Sequence, residues 1–177
     1  DLTGEIAQMN QLIKAKKGGY VIVAEFAPHD RGSYIWGQRA LTALQCSSVG
    51  YSLAASIHAT SMEEAVSLIW RDIGAGDDLA SVFQYVIYIE RFGEGDPDGE
   101  NNFYRRIKSV HEIAEVVDGK PKSEMLFEWK ENEDDFVKIS TPKLLNITSS
   151  ALEARAKKVE ELVERAEYSL EELLAIL

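Results

Sequence analysis

The chain has 177 residues, with 30 Asp and Glu against 19 Lys and Arg, for a formal net charge of −11. That length suits one domain or one domain with an appendage, and 45% hydrophobic against 28% charged residues excludes a wholly disordered chain. A pI near 4.8 argues against nucleic acid as a partner, no apolar run reaches the length of a membrane span, and the single Cys46 excludes an internal disulfide, as expected of a reducing compartment.

The opening Asp1-Leu2-Thr3-Gly4-Glu5 has neither the basic nor the apolar region of a signal peptide. Thr3 to Lys16 reads as a helix, with Ile6, Met9, Leu12 and Ile13 at helical spacing and Gly18-Gly19 ending it. Tyr20-Val21-Ile22-Val23-Ala24 is a continuous apolar run that stops at Glu25, the pattern of a strand buried on both faces. After the polar stretch His29 to Ser33, Tyr34 to Ser48 reads as a second helix. Ser52 to Ile57 reads as a second strand of buried character, and it runs into His58. Ser61 caps a third helix, with Glu63 and Glu64 in its first turn and Gly74-Ala75-Gly76 as its break. This alternation predicts an α/β layer with a parallel sheet.

The second half reads as antiparallel strands. Val82 to Arg91 and Phe103 to Val117 flank an acidic Gly/Asp/Pro/Asn turn, and Asp118-Gly119-Lys120-Pro121 turns the chain again. Met125 to Trp129 and Phe136 to Ile139 form a further hairpin around Asn132 to Asp135. From Thr148 or Ser149 the pattern is helical, and Ser169 caps a last short helix. The expected division is 1–147 for the α/β core with its antiparallel extension and 148–177 for a helical segment.

Glu25 and His58 are the leading site candidates, because each ends an apolar strand. Ligands of open α/β sheets sit beyond the carboxyl ends of the strands. Neighbouring parallel strands would bring the two residues to one edge, where a carboxylate could orient a water and an imidazole could sense a phosphate. The plainer alternative is that both only cap strand ends. Arg105-Arg106 could reach an anion, or else divide into one exposed arginine and one in a structural ion pair. The acidic run Asp96-Pro97-Asp98-Gly99-Glu100 lacks the full calcium-loop pattern. His111 reads as a half-buried sheet residue and Cys46 as a small apolar residue of the second helix. There is no zinc spacing, no Gly-x-Ser-x-Gly elbow and no Gly-x-x-x-x-Gly-Lys-Ser/Thr loop in the sequence.

Val21-Ile22-Val23-Ala24-Glu25, Ala43-Leu44-Gln45-Cys46 and Val49 through Ala59 together resemble the C-terminal half of the ATPases that power type II and type IV secretion, type IV pili and the archaellum. Ile89-Glu90-Arg91, Arg105-Arg106-Ile107, Glu112 to Val116 and Leu126-Phe127-Glu128-Trp129 are similar to that family's downstream strands, closest to its archaeal branch. The resemblance implies a partial RecA-like P-loop NTPase core with a mixed parallel and antiparallel sheet and C-terminal helices. It makes Glu25 the Walker B glutamate, acting on Mg2+ through water and on the attacking water, and His58 the histidine-box residue that reports the γ-phosphate. It also implies ATP and Mg2+ as cofactors of the complete family member, a hexameric ring, a membrane platform or secretion-machine subunits as partners, and a cytoplasmic location peripheral to the membrane. The chain departs from the pattern at Ala24, at Ala27-Pro28, and at Val49 and Tyr51 of the Thr-Gly-His turn.

Without a P-loop, the sequence leads to one of two expectations. One is part of a longer ATPase, favoured by the absence of an initiator Met; the other is a divergent relative without turnover, favoured by the substitutions around Glu25. Either way no hydrolysis is expected of this chain alone, and it would need no cofactor if turnover is lost. The rival from another class is a non-catalytic interaction module, docking through its acidic surface and amphipathic C-terminal helix. A hydrolase using Glu25 and His58 directly as base and acid ranks below both.

Overall fold

The computed structural model describes residues 2–28, 34–93, 103–145, 147–165, 169 and 171. The chain divides into two units, Asp1–Ser140 and Thr141–Leu177.

In the first unit, α1 (Leu2–Ala15) ends ahead of Gly18-Gly19, and β1 (Gly19–Phe26) follows. The helix expected over Tyr34 to Ser48 is shorter. Tyr34 and Ile35 form β2 (Tyr34–Ile35), paired with Glu25 and Phe26, and α2 (Gln38–Ser48) begins only after Gly37. Gly37 sits at φ +55°, a turn an L side chain adopts rarely, and it separates the two elements. The strand pairing carries Ile35 into the core. Then come β3 (Tyr51–Ile57) and α3 (Met62–Ser67), whose Ser61 hydroxyl accepts from the Glu64 N–H at 3.1 Å as the sequence predicts. A π-helical turn, Leu68–Asp72, and α4 (Gly76–Ala80) complete the helical layer.

The three strands form a parallel sheet in the order β2-β1-β3. Expected burial on both faces of β1 and β3 is not found, and on β3 Ser52, Ala54 and Ser56 are exposed. Val23 and Phe26 are buried, but Tyr20 and Ile22 are 83% and 81% exposed. The inner face packs under α2 and α3 in a core holding Leu44, Val66 and Ile69, while no described element of the first unit covers the outer face. An apolar run is compatible with either outcome, because alternate residues of a strand point to opposite faces.

The second half is antiparallel, in the order β4-β5-β6-β7. β4 (Tyr85–Phe92) starts three residues later than the apolar pattern, since Val82 and Phe83 pack against the core ahead of it. β5 (Tyr104–Val117) and β6 (Lys120–Lys130) meet at a two-residue turn, Asp118-Gly119, so Pro121 lies inside β6 opposite Val116 rather than in the turn. Asp77 pins this turn, accepting from the Asp118 and Gly119 N–H groups at 3.0 and 3.1 Å and from the Trp70 indole at 2.8 Å. β7 (Asp135–Lys138) closes the sheet. Ile113 and Val116 of β5 enter the same core as the parallel sheet, so the mixed α/β unit has one shared interior.

The second unit contains α5 (Ser149–Arg165), entered through Thr148, whose hydroxyl accepts from the Ala151 N–H at 3.2 Å. The expected last helix, the acidic run 96–100, and His29 with Asp30 lie outside the described residues, apart from Ser169 and Glu171. Among the described residues no helix is long and apolar enough to cross a membrane.

Candidate functional site

β1 and β3 run in parallel from Gly19↔Tyr51 to Val23↔Ala55, and pairing resumes at Phe26↔Ile57. Between those points two residues of β1, Ala24 and Glu25, face one residue of β3, Ser56. This is a β-bulge, the device that re-aims a side chain near a strand end. The Ser56 hydroxyl donates to the Ala24 carbonyl and ties the bulge across the two strands. As the second residue of the bulge, Glu25 emerges at the carboxyl edge of the sheet.

His58 follows β3 directly. Its Nδ1 lies 2.7 Å from Glu25 Oε1. The two side chains are unequally placed: Glu25 is 13% exposed and His58 is 91% exposed. The chain just after His58 is fixed on two sides. Thr60 donates its N–H and hydroxyl to Glu64 Oε2 at 2.6 and 2.5 Å, and the Tyr88 hydroxyl of β4 donates to the Thr60 carbonyl at 3.0 Å. The Thr60 hydroxyl, then its N–H, hold the Glu64 carboxyl below the usual range. Glu64 is thereby engaged in shaping the turn and leaves Glu25 as the carboxylate at the histidine.

Arg105 and Arg106 lie on β5. Arg106 forms a forked pair with Asp134, at 3.2 and 3.4 Å, and Asp134 also accepts from the Trp129 indole at 3.0 Å. The Arg105 guanidinium stands 5.1 Å from the Phe103 ring centre, and Arg91, its cross-strand partner, stands 4.6 Å from the same ring. Among the described residues no hydrogen bond or ion pair joins either arginine to Glu25 or His58. The structure brings two of the four sequence candidates together and engages Arg106 elsewhere.

His111 sits on β5, its Nε2 2.9 Å from the Ser109 hydroxyl, and burial lowers its pKa. Cys46 is fully buried on α2, where its thiol donates to the Met9 carbonyl at 3.7 Å and burial raises its pKa. Both fill the structural places expected of them. Ser56, Thr60 and Tyr88 were not singled out by sequence reasoning. Ser56 is the one polar residue inside the otherwise apolar Leu53 to Ile57, but nothing in that run shows the register shift it ties.

The described cavities lie elsewhere. One of about 460 Å3 is lined by Ser52 and Leu53 of β3 and by Gln84 and Tyr85. Another, of about 580 Å3, lies between Trp70, Gly119 and Pro121. The Glu25–His58 pair stands on an open sheet edge. Among the described residues no three His, Cys, Asp or Glu side chains converge to hold a metal ion. No protein-family model matches the chain, and no curated protein matches it.

Proposed function

We propose that this chain carries the water-orienting and phosphate-reporting part of a RecA-like ATPase site of the secretion, pilus and archaellum type. The observation that carries the reading is the 2.7 Å contact between Glu25 and His58 at the carboxyl edge of adjacent parallel strands. The bulge at Ala24-Glu25 supports it, since the pair is held by a local departure from regular pairing rather than by strand ends alone. Mg2+ binds through few carboxylates and keeps most of its waters, and a single carboxylate at the edge suits that demand. In this reading Glu25 meets the ion through water, and bound Mg2+–ATP supplies an electrophilic γ-phosphorus with its charge neutralised. His58, on its exposed ring, is within reach of a ligand at the edge. Arg105 is the arginine open to an anion, because Arg106 is committed to Asp134.

The sequence holds no Gly-rich loop with Lys-Ser/Thr, so the phosphate-gripping amides and lysine come from another segment or polypeptide. The outer face of β1, left open by the described elements of the first unit, supports this, since parallel sheets are ordinarily covered on both sides. The proposed setting is a hexameric ring, cytoplasmic and held at the membrane by partner subunits. Mixed with Mg2+–ATP, the purified chain releases no more phosphate than its Glu25→Gln variant, yet binds the nucleotide weakly, read by broadening of the 31P signals. Turnover clearly above the variant contradicts the separate phosphate grip. Unbroadened signals at millimolar nucleotide contradict the nucleotide reading. The exposed Tyr20 and Ile22 favour a second reading, a non-catalytic docking module, which predicts that second result.

A further inference from the structure

We propose that Arg91 and Arg105 together form an anion site whose ligand is a doubly charged phosphate group. This goes beyond the reading above, which leaves Arg105 a single arginine open to an anion, and it does not depend on the Glu25–His58 edge.

Four observations carry it. First, the antiparallel register sets Arg91 of β4 directly opposite Arg105 of β5. Like charges in that position repel across the ladder, and an anion between them removes the cost. Second, among the described residues neither arginine makes a hydrogen bond or ion pair, in a chain with 30 Asp and Glu. Their neighbours on β5 do: Arg106 is forked onto Asp134, and Lys108 stands 3.7 Å from Glu90. Third, the two guanidinium groups rest on one ring, Phe103, at 4.6 and 5.1 Å from its centre. The shared ring gathers both long side chains over one place, so less freedom is lost when an anion arrives. Fourth, the exposed positions of β4 leading to the pair, Tyr85, Ile87 and Ile89, include no carboxylate that would compete for it. Ile89 pairs with Ile107 of β5, and the two are 57% and 40% open beside the arginines.

The count of charge selects the ligand. A carboxylate brings one negative charge and leaves one arginine uncompensated. A phosphate monoester carries about −1.5 to −2 near pH 7 and three acceptor oxygens, which suit two planar forks of N–H donors. The net charge of −11 opposes unspecific anion binding, so saturable binding reports the site itself.

The probes are N-acetyl-phosphoserine amide, inorganic phosphate and acetate, each added to the full chain at constant ionic strength. The readout is the guanidinium Nε–H signals of Arg91, Arg105 and Arg106 in 1H–15N NMR. Arg91 and Arg105 are expected to shift together on one saturating curve for both phosphates, while Arg106, held by Asp134, stays in place. Acetate should bind at least about tenfold more weakly, and Arg91→Gln or Arg105→Gln should each weaken phosphate by about as much. Lysine at either position should fall between, since it keeps the charge without the fork. A second arm compares an N-acetyl leucyl-phosphoseryl-leucine amide with inorganic phosphate. Tighter binding of the peptide assigns the phosphate to a phosphorylated protein segment seated over Ile89 and Ile107; equal or weaker binding assigns it to a small phosphate. Both sustain the proposal. Shifts that grow linearly with every anion, equal affinity for acetate and phosphate, movement of only one of the two arginines, or equal movement of Arg106 overturns it in the unsubstituted chain, without any variant having to fold. No probe contains nucleotide, so such a failure leaves the Glu25–His58 reading to its own binding test.

Discussion

The two sheets of the first unit share a core but differ in what they leave outside. Glu25 is the only Asp, Glu, Lys or Arg in the three parallel strands, and it is engaged by His58 at their carboxyl edge. The outer face of that sheet is otherwise uncharged, with Tyr20 and Ile22 almost fully open. The antiparallel sheet alternates exposed apolar residues, Ile87 and Ile89 each 57% open, with charges that it pairs internally, Arg106 with Asp134, Lys122 with Glu115 and Lys130 with Glu128. Such exposed pairs add little stability, but charged edges discourage unwanted strand pairing. Both sheets thus leave apolar residues open, and the contrast lies in charge: the antiparallel sheet carries several internal ion pairs, and the parallel sheet a single polar pair at its rim.

The comparison can be broken first at the shared interior. Leu44, fully buried on α2, truncated to Ala should cost about 2–5 kcal/mol in urea unfolding and loosen both sheets together. Unfolding of one sheet before the other would show that the core is not common. A smaller loss, about 1–3 kcal/mol, is expected for Gly119→Ala. That residue has φ +71°, and a Cβ there would stand 2.8 Å from the Trp70 ring. The antiparallel hairpin should suffer first, seen as faster amide exchange across β5 and β6.

Acid should act on the same hairpin. The Gly119 N–H, then the Asp118 N–H, with help from the Trp70 indole, hold the Asp77 carboxyl below its ordinary value of 3.8. A depressed folded pKa means that the stabilisation is complete above the unfolded value. It is lost as pH falls through the still lower folded one. Asp134, lowered by Arg106 and then Trp129, acts in the same direction. The antiparallel sheet should therefore loosen below about pH 4, and Asp77→Asn should flatten that dependence. The smallest effect belongs to the bare face: Ile22→Ser should change stability by no more than about 0.5 kcal/mol, against a clear loss for the adjacent Val23→Ala. A large loss at Ile22 would mean that the face is covered in solution.

The pair at the strand ends was legible because each apolar run stops abruptly at a polar residue, and parallel neighbours end on the same side. The bulge that aims Glu25 was not, since it exists only in the register between β1 and β3. Nor was the open outer face, because Tyr20 and Ile22 look the same in sequence whether or not something covers them. β2 is too short to leave a periodic signature, and its two residues were absorbed into the following helix. For Arg106, the adjacent arginines show, but the carboxylate that engages one of them lies far along the chain, on the turn before β7. Local pattern reports the strand and its ending; cross-strand register and coverage are set by tertiary packing.

The Cε1–H signals of His58 and His111, followed by NMR as Mg2+–ATP is added, place the two sheets side by side. Nucleotide meeting the carboxyl edge of the parallel sheet should shift His58 and leave His111, bonded to Ser109 within the antiparallel sheet, where it was. Equal movement of both signals, movement of His111 alone, or no movement of His58 would contradict a nucleotide site at the Glu25–His58 edge.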